Sequence, residues 1–211
     1  MTNLLRNQLD AESAKMLSEV AKQKGISLCG IHRDQTTADF SRQNLEPPDA
    51  ILLASDLSQA GVTGSLTVTN LLRNELDAES AKMLAEVAKQ KGISLCGIRR
   101  DQTTADFCFK DLKPPDAILL ASDLSQASVT GSLTKMSLAK NHLLEEGTKA
   151  ICEALEQNKT LKELDISGGK YSGSNIGGKA GAKHVAKMLG VNGALTKIRY
   201  VSPRANLGPH I

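Results

Sequence analysis

Three groups of residues in this chain have types and spacings that could do chemistry. The segment Gly173-Ser-Asn-Ile-Gly-Gly178-Lys179-Ala180 has the glycine and lysine spacing of a loop that cradles phosphate on backbone amides. Ala180 stands where such a loop needs a Ser or Thr hydroxyl for magnesium. The segment therefore reads as a turn before a helix, able at most to rest an anion on the first amides. Cys29-x-x-His32 has metal-ligand spacing. A near-identical copy of that stretch reads Cys96-x-x-Arg99, without the imidazole, which argues for thiols that fill space. Cys152 follows Ile151 on a predicted helix, no His is placed beside it by the sequence, and it reads as packing rather than as a nucleophile. His184 reads as a surface residue, and Glu145-Glu146 as first-turn carboxylates that complement a helix dipole. No Ser/His/Asp set can be assembled. The expectation is a chain that is not an enzyme, with no catalytic residue, no cofactor and no metal.

The elements that carry these residues are repeats. Residues 2–67 match 69–134 at an offset of 67, with nine of 66 positions different, five of them between 41 and 46. That concentration predicts a weakly constrained surface loop. A shorter period lies inside the long one. From the anchors Leu9, Leu45, Leu76, Leu112 and Leu143, the positions eight on are Leu17, Leu53, Leu84, Leu120 and Ile151. Twelve on are Ala21, Leu57, Ala88, Leu124 and Leu155, and five before are Leu4, Phe40, Leu71, Phe107 and Leu138. Seven before are Thr2, Ala38, Thr69, Ala105 and Met136. Positions two apart share one face of a strand, and positions four apart share one face of a helix. Each unit is thus a short strand, a turn and an amphipathic helix. Gly92 predicts the end of a helix over 77–91, and Pro114-Pro115-Asp116 opens the helix with Leu120 and Leu124. A lone unit cannot bury its apolar face, so the units must stack, with a parallel sheet on one side and helices on the other.

Composition fits an α/β domain with an aliphatic core. The 211 residues are 40% hydrophobic, 23% charged and 2% aromatic. The net charge of +3 and the few rings point away from nucleic acid, which needs a basic surface and usually stacking partners. No apolar run approaches a membrane span. Met1 to Glu12 carries Arg6 and Asp10 and does not read as a secretory signal, so the four cysteines are expected reduced and the chain cytoplasmic.

Leu133-Thr-Lys-Met136-Ser-Leu138-Ala-Lys-Asn141-His-Leu143 resembles the LxxLxLxxNxL signature of leucine-rich repeats. The continuation EEGTKAICEALEQNKT at 145–160 resembles the ribonuclease-inhibitor-like subfamily, which recurs in the NOD-like receptors. The resemblance covers 1–211 as a single domain of about six units. It is strongest over 133–198 and 66–92, and it leaves an irregular tail at 199–211. Gln35 and Gln102 replace the first Leu of two units, which also follow an added KGISLCGI segment at 24–31 and 91–98. That segment reads as an extra strand or a convex-side loop. In the last unit Ile176 is the anchor, with Val185 and Leu189 as helix positions and an insertion around 169–174.

The resemblance implies a solenoid arc with a concave parallel sheet, and a non-catalytic protein-binding module of adaptor or sensor type. The implied contact residues are Asn70, Arg73, Lys135, Ser137, Lys140, Lys162, Glu163, Asp165, Lys197 and Arg199. Their mostly basic character suits an acidic protein partner. A second expectation, from proteins with similar repeats, is a regulatory activator of a small GTPase. A third is an uncapped fragment with no independent function, either part of a longer array or pairing through its open ends.

Overall fold

The computed structural model describes residues 2–168 and 175–200. The insertion at 169–174, with Gly173 of the phosphate-loop lookalike, and the tail beyond 200 lie outside the described residues. The fold is α/β. Strands β1 (Thr37–Asp39), β2 (Val68–Asn70), β3 (Thr104–Asp106), β4 (Lys135–Ser137), β5 (Glu163–Asp165) and β6 (Lys197–Arg199) all pair in parallel. Helix α1 (Ala11–Lys24) precedes them, and between them run α2 (Pro47–Ser58), α3 (Ala60–Thr63), α4 (Ala78–Lys91), α5 (Pro114–Leu124), α6 (Ala127–Thr130), α7 (Leu144–Gln157) and α8 (Gly178–Val191). The longer helices pack as neighbours in the order α1, α2, α4, α5, α7, α8, and a single aliphatic core joins them to the strands.

The local chemistry explains these boundaries. Asp10 and Asp77 accept the amides of Ser13 and Ser80 at 2.7 Å, satisfying donors that open a helix. Gly25 and Gly92 close α1 and α4 at φ 62° and 66°, where a side chain would be strained. The spaced apolar positions are buried as the periodicity predicts: Leu53, Leu57, Leu84, Ala88, Leu120, Leu124, Ile151 and Leu155 all lie in the core.

Buried asparagines tie two of the turns to the turn before. Asn141 accepts the amides of Lys110 and Leu112 and donates to the carbonyls of Phe107 and Leu138. Asn74 does the same one block earlier, to Gln43, Leu45, Phe40 and Leu71. The residue three before each of the anchors Leu9, Leu45, Leu76, Leu112 and Leu143 has a left-handed backbone: Arg6, Arg42, Arg73, Phe109 and Lys140 have φ between 57° and 64°. No glycine marks the bend in these five units, so the sequence does not announce it.

Three expectations are corrected, and one left open is decided. The six strands do not form one sheet: β1-β2 is one and β3-β4-β5-β6 another. The cause is the added segment. Ser94 and Cys96 bridge to β2, with Thr69 N donating to Ser94 O and Gly97 N to Thr69 O. This occupies the edge of β2 on which a following strand would pair. The segment is therefore strand-like and not a convex loop. In the first unit, Thr2 and Leu4 flank only an isolated bridge, Asn3 to Cys29. In α8 Val185 is buried as expected, but the other apolar buried position is Met188, and Leu189 is 44% exposed. Met188 stands twelve after Ile176, so the frame needs no shift there.

Candidate binding groove on the four-stranded sheet

Strands β3 to β6 present alternate side chains outward, because successive residues of a strand point to opposite faces. The middle residues Ala105, Met136 and Leu164 are buried, while Ile198 is half-buried. The flanking residues line a groove of about 450 Å³. Register sets them in two rows. The first runs Thr104, Lys135, Glu163, Lys197, and the second Asp106, Ser137, Asp165, Arg199.

Charge along the first row is interleaved. Glu163 lies 3.2 Å from Lys135 Nζ and 3.4 Å from Lys197 Nζ. The hydrogen bond from Lys135, then the neighbouring ammonium charges, hold its carboxyl below the usual range. In the second row, Asp106 and Asp165 accept the amides of Cys108 and Ser167 two residues on, so each also closes its own turn. The groove thus carries Lys135, Lys197 and Arg199 against Asp106, Glu163 and Asp165. That is a balance of charge, not the mostly basic face expected. The reason is that Asp106 joins the groove while Lys140 and Lys162 do not line it.

Of the ten expected contact residues, six meet here: Lys135, Ser137, Glu163, Asp165, Lys197 and Arg199. Asn70 is on the other sheet beside Gly97 of the added segment. Arg73 lies in the turn after β2, where its amide donates to Asp116 at 2.7 Å. Lys140 sits 4.2 Å from the centroid of Phe109. Lys162 precedes β5, and its carbonyl accepts the amides of Thr196 and Lys197. Thr104, Asp106 and Cys108 complete the groove and were missed. Thr104 and Asp106 are the β3 equivalents of Lys135 and Ser137 on β4, so the alternation already held them, whereas Cys108 lies beyond β3 and had no such signal.

Two further residues escaped the sequence. Asp56 and Asp123 are wholly buried. Asp123 accepts the Ser94 hydroxyl at 2.7 Å and the amides of Leu95 and Cys96 at 2.8 and 3.1 Å. Asp56 holds Ser27, Leu28 and Cys29 in the same way. Burial pushes the Asp123 carboxyl up to about 7, against the pull of its three donors. Each aspartate clamps an added segment onto the helix layer.

The other candidates take structural positions. Cys29 and Cys96 are buried beside these aspartates, and burial with the nearby negative charge raises both thiols well above the usual range. Burial pushes Cys152 up to about 12, which disfavours the thiolate a nucleophile needs. Gly177 has φ 76°, and a Cβ there would stand 2.3 Å from Glu145 N. The glycine serves close contact with the start of α7. Among the described residues, no three His, Cys, Asp or Glu side chains are grouped to hold a metal. No helix among them is long and apolar enough to cross a membrane.

No protein-family model and no curated protein matches the chain.

Proposed function

We propose that this chain is a leucine-rich-repeat solenoid of the ribonuclease-inhibitor-like kind, whose concave strand face binds a partner protein without catalysis. The observation that carries the reading is the groove on β3 to β6, where four strands in register aim side chains of alternating charge outward. The asparagine ties of Asn74 and Asn141 and the left-handed turn residue at a fixed place in five units support the repeat reading. Four unpaired cysteines fit a reducing compartment such as the cytoplasm.

The partner segment is acidic where it meets Lys135 and Lys197 and basic where it meets Asp106 and Asp165. A charged row that is half satisfied internally favours discrimination over raw affinity. The test is capture from cell extract with three baits of equal melting temperature. They are the native chain, a Lys135→Glu, Lys197→Glu, Arg199→Glu variant, and a helix-side Lys149→Glu, Lys183→Glu control. The expected result is a protein kept by native and control baits and lost by the groove variant. Retention of the same proteins by all three would overturn the reading.

A further inference from the structure

The two near-identical blocks provide an internal comparison. Helix α4 and the strand-like segment after it are covered by the preceding elements of the chain: Leu84 and Ile93 are 0% and 2% exposed, and Met83 and Val87 pack partly buried against the core. The same residues of the first block are open. Met16 is 58% exposed, Val20 53% and Ile26 44%. Leu4, Leu9 and Leu17 are half-buried, where Leu71, Leu76 and Leu84 are buried. Sequence cannot cause the difference, since these positions are identical in the two blocks. Among the described residues, no element lies over Met16, Val20 and Ile26. In the second block, α2 covers the equivalent face. Ile51, Ala54 and Ser58 of α2 lie beside Met83 and Val87.

Helix α8 presents a face of the same kind. Ile51, Ala54 and Ser58 stand six, nine and thirteen residues after the anchor Leu45. At those distances from the anchor Ile176 stand Ala182, Val185 and Leu189. The opposite side of α8 is turned to α7, where Lys187 meets Glu156 at 2.8 Å and His184 meets Glu145 at 3.7 Å. Helical spacing puts Ala182, Ala186 and Leu189 on the side away from α7. Leu189 is 44% exposed.

We propose that two copies of this chain associate head to tail, α8 of one copy covering α1 of the next as α2 covers α4 within the chain. Leu189 and Ala182 of one copy meet Met16 and Val20 of the other. The contact joins two different surfaces, so it is heterologous, and each added copy leaves one face of each kind open. Growth is therefore open-ended and steepens with concentration.

Light scattering on the full chain over a concentration series tests this, with two variants at exposed positions: Met16→Glu, Val20→Glu, and Leu189→Glu. Circular dichroism melts confirm that both fold like the native chain. The native chain is expected at least to double its weight-average mass across the series, while each variant alone stays monomeric. An equimolar mixture of the variants recovers a dimer and nothing larger, because each retains the face that the other lacks. A native chain monomeric at every concentration would overturn the proposal. So would a Leu189→Glu variant that associates as the native chain does, since α1 would then be meeting another copy of α1.

Discussion

Asp123 shows how a charged residue can be the fastening of a fold. Its carboxylate replaces the strand partner that the amides of Leu95 and Cys96 would otherwise need. Asp123→Ala leaves the Leu95 amide and the Ser94 hydroxyl buried without this acceptor and the Cys96 amide with only its longer bond to Ser94 Oγ, and should cost roughly 2–4 kcal/mol in urea denaturation. The same residue sets a pH dependence. Its carboxyl moves from 3.8 to about 7 on folding, so the native state holds a proton over a range where the unfolded chain has lost it. The associated stability is complete below about 4 and is lost as pH rises through about 7. Asp116, also raised by burial, acts in the same direction. Asp10 and Asp77, lowered by their bonds to Ser13 and Ser80, favour the folded state as they ionise and lose that contribution only at more acidic pH. Asp123→Asn should therefore flatten the decline between about pH 4 and 7; an unchanged slope would assign it elsewhere. Sequence reading passed over Asp56 and Asp123 because an aspartate on a helix is ordinarily solvated, and nothing local marks one with three donors waiting. Asn141, by contrast, was visible through its motif. Asn141→Ala orphans the buried Leu112 amide, the part-buried Lys110 amide and the carbonyls of Phe107 and Leu138, and should destabilise by roughly 2–4 kcal/mol in the same assay.

At the scale of elements, the longer helices were legible, the short α3 and α6 were not, and the sheet was only partly so. Capping residues and the four-residue spacing define α1, α4 and α5, because those signals are local. Strands three residues long carry little periodicity of their own, and they were found only by aligning units. The division of the sheet was not legible, since it depends on which edge the segment at 94–97 takes. The left-handed turns were hidden for a related reason: Arg, Phe and Lys occupy a bend that glycine usually announces. Arg42 is exposed with φ 57°. Arg42→Gly relieves the Cβ crowding of that conformation, offset by glycine's greater backbone entropy, and is expected to stabilise by up to about 1 kcal/mol in urea denaturation. Gly177→Ala should do the reverse, because it adds both a left-handed strain and a contact with Glu145 N. Its expected cost of roughly 2 kcal/mol or more is read by thermal melting.

Over the whole molecule, the groove places three cations and three anions within four strands, while the net charge of the chain is only +3. Specificity on such a surface comes from the order of charges across the strands, and the order was partly readable: six of the ten expected residues share the groove. The other four fell away for reasons of three-dimensional position, in a second sheet, in a turn or beside an aromatic ring. The central claim is that partners meet the strands and not the helices. Lysine acetylation footprinting of the chain, free and with a captured partner, tests it most directly. Lys135 and Lys197 in the groove are compared with Lys149 and Lys183 on α7 and α8. The expected result is that the partner slows modification of Lys135 and Lys197 and leaves Lys149 and Lys183 unchanged. Protection of Lys149 and Lys183 with Lys135 and Lys197 still fully reactive would contradict it.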